Sequence, residues 1–173
     1  LLFISDGLKG MTDAIHSVYP KAKHQVCCVH AARHISSKVR VSDRSNVMAD
    51  FKEIYQAKDR DEANKALKVF SEKWYKVYPN VVRNIESNPR LLTFFDFPSS
   101  IRRSIYSTNL IESFNKQLKR YIKRKEQFPH EDSLKRFLVT QFHDYNQKFG
   151  MRCHRGFNEA KPEILEMFES IQG

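Results

Sequence analysis

The chain has 173 residues, 40% of them hydrophobic, which is enough to bury one core and, by length, to form one domain. Thirty Lys and Arg against twenty Asp and Glu leave a formal charge of +10, so a polyanionic partner is favoured, nucleic acid before membrane. No stretch approaches the ~20 apolar residues of a spanning helix, there is no signal-peptide pattern, and three cysteines (the adjacent Cys27 and Cys28, and distant Cys153) make no paired framework, which favours a reducing, cytoplasmic compartment.

In chain order, the opening LLFISDG reads as a short buried strand, Leu1 to Ile4, closed by Asp6-Gly7. The ordinary reading of Asp6 is a turn residue. The stretch GLKGMTDAIHSVYPKA puts Met11, Ile15 and Val18 on one helical face and is stopped by Pro20, and a second short strand follows from Gln25 to Val29. Strand, helix, strand at this spacing predicts a βαβ unit with parallel neighbouring strands. The rest is helical in character. Asp43 to Ala57 carries Val47, Phe51, Ile54 and Tyr55 at helical spacing, and Arg60 to Tyr78 carries Ala63, Leu67, Phe70, Trp74 and Val77. Pro79, Asn88-Pro89 and Pro98 divide the middle into short helices, and Trp74 and the phenylalanines of LLTFFDF read as core. Asp13, Asp43 and Asp50 read as cap or surface residues, while His24, His34, His130 and His143 fit no constellation.

The stretch STNLIESFNKQLKRYIKRK begins a helix at Thr108 or Asn109, with Glu112 in the capping-box relation to Asn109. On a wheel of ~100° per residue, Leu110, Ile111, Phe114, Leu118, Tyr121 and Ile122 share one side, while Glu112, Asn115, Lys116 and Lys119 share the other. Six of the ten residues from Lys116 to Lys125 are basic, so a carboxylate and an amide sit one turn ahead of a cationic stripe. Such a face suits a phosphodiester held near a metal; its plainer reading is a solvated helix surface with a Glu112 to Lys116 pair. Cys27-x-x-His30 is half of a zinc site by spacing, and the adjacent Cys153 and His154 are a poor chelating partner for it. Cys27 therefore reads first as a packed thiol in a strand, and second, with His30, as support beside an active site.

Three stretches, ISDGLKGMTDAIHSVYPKAKHQVCCVH, FFDFPSSIRRSIYSTNLIESFNKQLKR and FPHEDSLKRFL, carry a resemblance to the Mutator-type transposases of bacterial insertion sequences, in the family's order and through nearly the whole chain. The resemblance implies a mainly α fold with a small parallel β remnant, part of an RNase H-like α/β core that carries a helical insertion. It also implies an Asp, Asp, Glu catalytic triad: Asp6 stands for the second acid and Glu112, 106 positions later, for the third. Thr108, Asn109 and Asn115 accompany Glu112 in that motif, and Cys27 and His30 match the Cys-x-x-His that follows the second acid. The first acid belongs to an earlier strand, so the chain is expected to be the C-terminal part of a longer protein and inactive alone.

On this reading residues 1–41 are the βαβ part of the catalytic core, 42–105 the helical insertion, and 106–173 the C-terminal helices of the core. The implied cofactor is Mg²⁺ or Mn²⁺, two ions in the complete site, because hard oxygen ligands select these metals. Asp6 would bridge the ions, Glu112 would hold one, and Asn115 would orient a ligand or touch the phosphate. Lys116, Lys119, Arg120, Lys123 and Arg124, with Arg102 and Arg103, would track the backbone of double-stranded DNA. A homo-oligomer acting on paired DNA ends is expected of the full-length enzyme, in the bacterial cytoplasm. The alternatives are a non-catalytic basic nucleic-acid-binding module, an inert transposase remnant, or a helical interaction subunit.

Overall fold

A computed structural model describes residues 1–8 and 10–172, and helices dominate it. Strands β1 (Leu2–Ser5) and β2 (Lys23–Val26) run parallel, with Leu2 opposite Lys23 and Ser5 opposite Val26, and α1 (Met11–Val18) joins them. The predicted βαβ unit is therefore present. Its second strand starts two residues and ends three residues earlier than the sequence reading placed it, and Cys28 already opens helix α2 (Cys28–Lys38). Cys27 is thus the residue that caps α2 and not a strand residue. The cause is that a run as short as VCCV fits a buried strand or the buried first turn of a helix equally well. Here Cys28 and Ile35, seven residues apart, form the buried stripe of α2.

Helices α3 (Val41–Tyr55) and α4 (Arg60–Trp74) supply the centre of the core. Val47, Phe51 and Ile54 of α3 and Ala63, Phe70 and Trp74 of α4 are buried, and the Phe51 and Phe70 rings meet edge to face at 6.4 Å. Asp59 starts α4 by accepting a hydrogen bond from the Glu62 N–H at 2.8 Å. α4 ends at Trp74, four residues before the predicted Tyr78, since Pro79 opens a new helix, α5 (Pro79–Glu86). Two short 3-10 turns, Pro89–Leu91 and Thr93–Asp96, and α6 (Ser99–Ile105) complete the segmented middle that the prolines predict. Phe94 and Phe95 are buried, as expected, with Leu91 and Leu92 beside them, whereas Phe97 is only half-buried against the core.

Gln25, fully buried on β2, fastens these turns to the sheet: its amide nitrogen donates to the Leu91 carbonyl at 2.8 Å and its oxygen accepts from the Phe94 N–H at 2.7 Å. Three helices follow: α7 (Asn109–Lys125), α8 (Glu131–Phe149) and α9 (Phe157–Gln172). α7 and α8 contain no fully buried residue and meet through rings, Phe114 stacking on Phe142 at 5.4 Å and meeting Tyr145 edge-on at 4.7 Å. The apolar side predicted for α7 is packed only in part, for Leu110 and Ile111 are more than half exposed. α9 docks through buried Ala160 and through Gly156, whose φ of +84° sets it against the Ser100 carbonyl of α6. Among the described residues, no helix is long and apolar enough to cross a membrane.

Candidate active site

In an open α/β arrangement, ligands bind beyond the carboxyl ends of parallel strands. β1 ends at Ser5 and β2 at Val26, so Asp6 and Cys27 are the first residues past those two ends. Asp6 is exposed, and its Oδ1 accepts a hydrogen bond from the Leu8 N–H at 3.2 Å, the local turn bond of an aspartate. Gly7 beside it has φ of +84°, which a side chain would oppose. The Asp6 Oδ2 takes no protein partner among the described residues.

The strand ends are tied to the start of α7 by a chain of bonds through Cys27. The Cys27 N–H donates to the Ser5 carbonyl at 2.7 Å, and the buried Cys27 sulfur accepts from the Thr108 N–H at 3.3 Å. The neighbouring Cys28 N–H donates to the Tyr106 carbonyl at 2.8 Å. The Thr108 hydroxyl lies 3.4 Å from the Cys27 sulfur and 2.9 Å from Glu112 Oε1, to which it donates. Thr108 is the capping residue of α7, as expected, but its side chain serves Glu112 and Cys27 and makes no backbone cap bond; Glu112 accepts from that hydroxyl and not in a capping box.

His30, in the first turn of α2, brings Nδ1 to 3.3 Å from the Thr108 hydroxyl and Nε2 to 3.7 Å from Glu112 Oε1. With the Thr108 hydroxyl directed at Glu112, its oxygen is left to accept from the His30 Nδ1–H. Arg33, one turn further along α2, places Nη1 3.5 Å from Glu112 Oε2. The Thr108 hydrogen bond, then the charges of Arg33 and His30, hold the Glu112 carboxyl below the usual glutamate range against the opposing effect of its desolvation. Glu112 is therefore a carboxylate at neutral pH.

A second polar set lies under the Asp6 turn. Buried His24 brings Nε2 to 2.8 Å from the Ser5 hydroxyl and Nδ1 to 3.4 Å from the Thr12 hydroxyl. Burial first, then Arg90 and His16, lower its pKa, so the ring is neutral and can donate from one nitrogen and accept at the other.

Of the residues singled out in the sequence, Glu112, Thr108, Cys27 and His30 come together in direct contact. Asn109 and Asn115 are exposed on α7 and make no side-chain bond among the described residues. Lys116, Lys119, Arg120, Lys123 and Arg124 are all exposed along the same helix. Arg103 is exposed, whereas the Arg102 guanidinium donates to the carbonyls of Phe97, Lys58 and Phe95 at 2.8–3.2 Å and so holds α6 to its neighbours. Sequence reasoning missed Arg33 and His24. Arg33 follows His30 by three residues, a helical spacing hidden where the reading extended a strand to Val29. The partners of His24 lie on other elements.

Residues 1–151 match the family described as "Transposase, Mutator family". The transposase for insertion sequence element IS905 of Lactococcus lactis subsp. lactis (strain IL1403) is 44% identical over 168 residues, 97% of this chain and 43% of that protein. The transposase for IS1201 of Lactobacillus helveticus is 47% identical over 145 residues, 83% of this chain and 39% of its own length. That for ISRM3 of Rhizobium meliloti (strain 1021) is 34% identical over 170 residues, 97% and 42% of the two chains. The chain thus spans less than half the length of these curated relatives.

Proposed function

Because the chain belongs to the Mutator family of transposases, we propose that it is part of the catalytic core of an enzyme that cuts and joins the DNA ends of an insertion sequence, with Asp6 and Glu112 as two acids of an RNase H-like site. The observation that carries this reading is the bonded path from the end of β1 to Glu112, Ser5 to Cys27 to Thr108 to Glu112, which links the turn bearing one acid to the helix bearing the other.

The donor set fits a divalent cation as part of a larger set. Asp6 and Glu112 offer hard carboxylate oxygens, and the family's first acid would come from outside this chain; among the described residues no three metal-binding side chains are grouped. Mg²⁺ or Mn²⁺ bound there would supply activation of the attacking oxygen and stabilisation of the leaving one. The chain's own residues do the rest. Thr108 fixes the rotamer of Glu112 through its hydroxyl, His30 fixes Thr108, and Arg33 balances the carboxylate until a cation replaces that balance. Asn115 and the cationic residues Lys116, Lys119, Arg120, Lys123 and Arg124 hold the DNA backbone one turn or more beyond Glu112, with Arg103 on α6 as a further contact. The binding is independent of sequence and weakens with salt. A homo-oligomer working on paired ends follows from the same reading.

The test is a Mn²⁺ titration of the chain followed by amide NMR, together with DNA binding at several salt concentrations. Paramagnetic broadening is expected at both Gly7 and Glu112, lost at both in Asp6→Asn, with DNA affinity retained. The slope of log affinity against log salt should become shallower by about one for each cation of α7 replaced by Ala. DNA binding without any Mn²⁺ broadening would instead identify a non-catalytic basic module.

A further inference from the structure

We propose that His24 is a positioning residue for Asp6, its buried imidazole clamping both ends of the β1–α1 loop that carries the carboxylate; this rests on the reading of Asp6 as a metal ligand. On the parallel ladder His24 lies opposite Phe3, and from there its ring reaches two hydroxyls on either side of the loop. Nε2 meets Ser5 Oγ at 2.8 Å on the strand side, and Nδ1 meets Thr12 Oγ1 at 3.4 Å on the helix side. The Ser5 hydroxyl oxygen also accepts from the Gly7 N–H at 3.3 Å, so the clamp extends one residue past Asp6. The imidazole is only 4% exposed, which keeps water from replacing these bonds.

Among its described residues, the loop is otherwise tied to α1 by the Met11 N–H, which donates to the Leu8 carbonyl at 3.1 Å. Asp6, Gly7 and Gly10 are exposed, Leu8 is 63% exposed, and Gly10 at the start of α1 provides no side-chain cap. Apolar packing therefore does not fix where the Asp6 carboxylate sits; the polar clamp beneath it does. The single bond on the carboxylate itself, from the Leu8 N–H, is internal to the loop and moves with it. Removing the imidazole leaves Ser5 and Thr12 with no shared partner, and the bonds that remain, Gly7 N–H to Ser5 Oγ and Met11 N–H to the Leu8 carbonyl, no longer fix one side of the loop to the other.

The experiment compares hydrogen exchange and Mn²⁺ broadening in ¹⁵N-labelled wild type, His24→Leu and Thr12→Val. In His24→Leu, exchange at the Gly7 amide and the Mn²⁺ midpoint for broadening at Gly7 should each rise about tenfold, while amides at Thr108 and Glu112 keep wild-type exchange. Thr12→Val should show the same pattern at about threefold, and it carries the test alone if His24→Leu does not fold. Unchanged Gly7 exchange in the variants, or acceleration spread equally to α7, overturns the clamp. Absence of Mn²⁺ broadening in the wild type overturns the metal reading instead, and the exchange data still report on the clamp.

Discussion

Asp43 and Tyr78 form a hydrogen-bonded pair between α3 and the start of α5. The Tyr78 hydroxyl donates to Asp43 Oδ2 at 2.5 Å and accepts from the Arg40 N–H at 3.1 Å, so it joins the start of α3 to the segment before α5. Hydrogen bonds from Tyr78, then from Ser42, hold the Asp43 carboxyl below the usual aspartate range. A lowered carboxyl stabilises the fold at every pH above its unfolded value near 4, and that contribution disappears as pH falls through the folded value. Tyr78→Phe should therefore be less stable than wild type in urea at pH 7, with the gap closing at pH 3; an equal gap at both would place the loss in packing. Asp43 read as a cap or surface residue from sequence because a partner 35 positions away leaves no local signal. Asp50, read the same way, accepts from the Trp74 indole N–H at 2.7 Å for the same reason, whereas the burial of Trp74 itself was legible in its helical spacing.

Among the elements, the contact of α9 with α6 depends on one residue that cannot be larger than glycine. A Cβ on Gly156 would lie 2.0 Å from the Ser100 carbonyl oxygen, and the φ of +84° already disfavours any side chain. Gly156→Ala should cost about 2–4 kcal/mol in urea unfolding and expose Ala160, since neither backbone segment can withdraw alone. Full stability in that variant would mean that α9 contributes nothing to the fold. Periodicity made α3, α4 and the start of α7 legible, and strand, helix, strand spacing made the parallel pair legible. It misplaced the end of β2 because four apolar residues hold no period. It also could not reveal that Leu110 and Ile111 of α7 are left exposed, because a helical wheel identifies an apolar side without identifying what covers it.

For the molecule as a whole, both acids of the proposed site lay in readable motifs, one after a strand and one at a helix start, and family membership now places the chain among transposases. The apparatus around them was less legible: Arg33, His24 and the Thr108 bonds arise only when separate elements meet. That separation also orders the assembly of the molecule. Cys27 and Thr108 are 81 positions apart, whereas α3 and α4 are joined by a four-residue connection and can pair as soon as both exist. Sequence separation makes the helical middle the expected nucleus, with the junction holding Glu112 expected to close after it. Cys27→Ala should then speed unfolding while leaving the folding rate unchanged, as chevron kinetics would register; slowed folding would put the junction in the nucleus. The junction around Glu112 would in this way be completed only once the rest of the fold is secure.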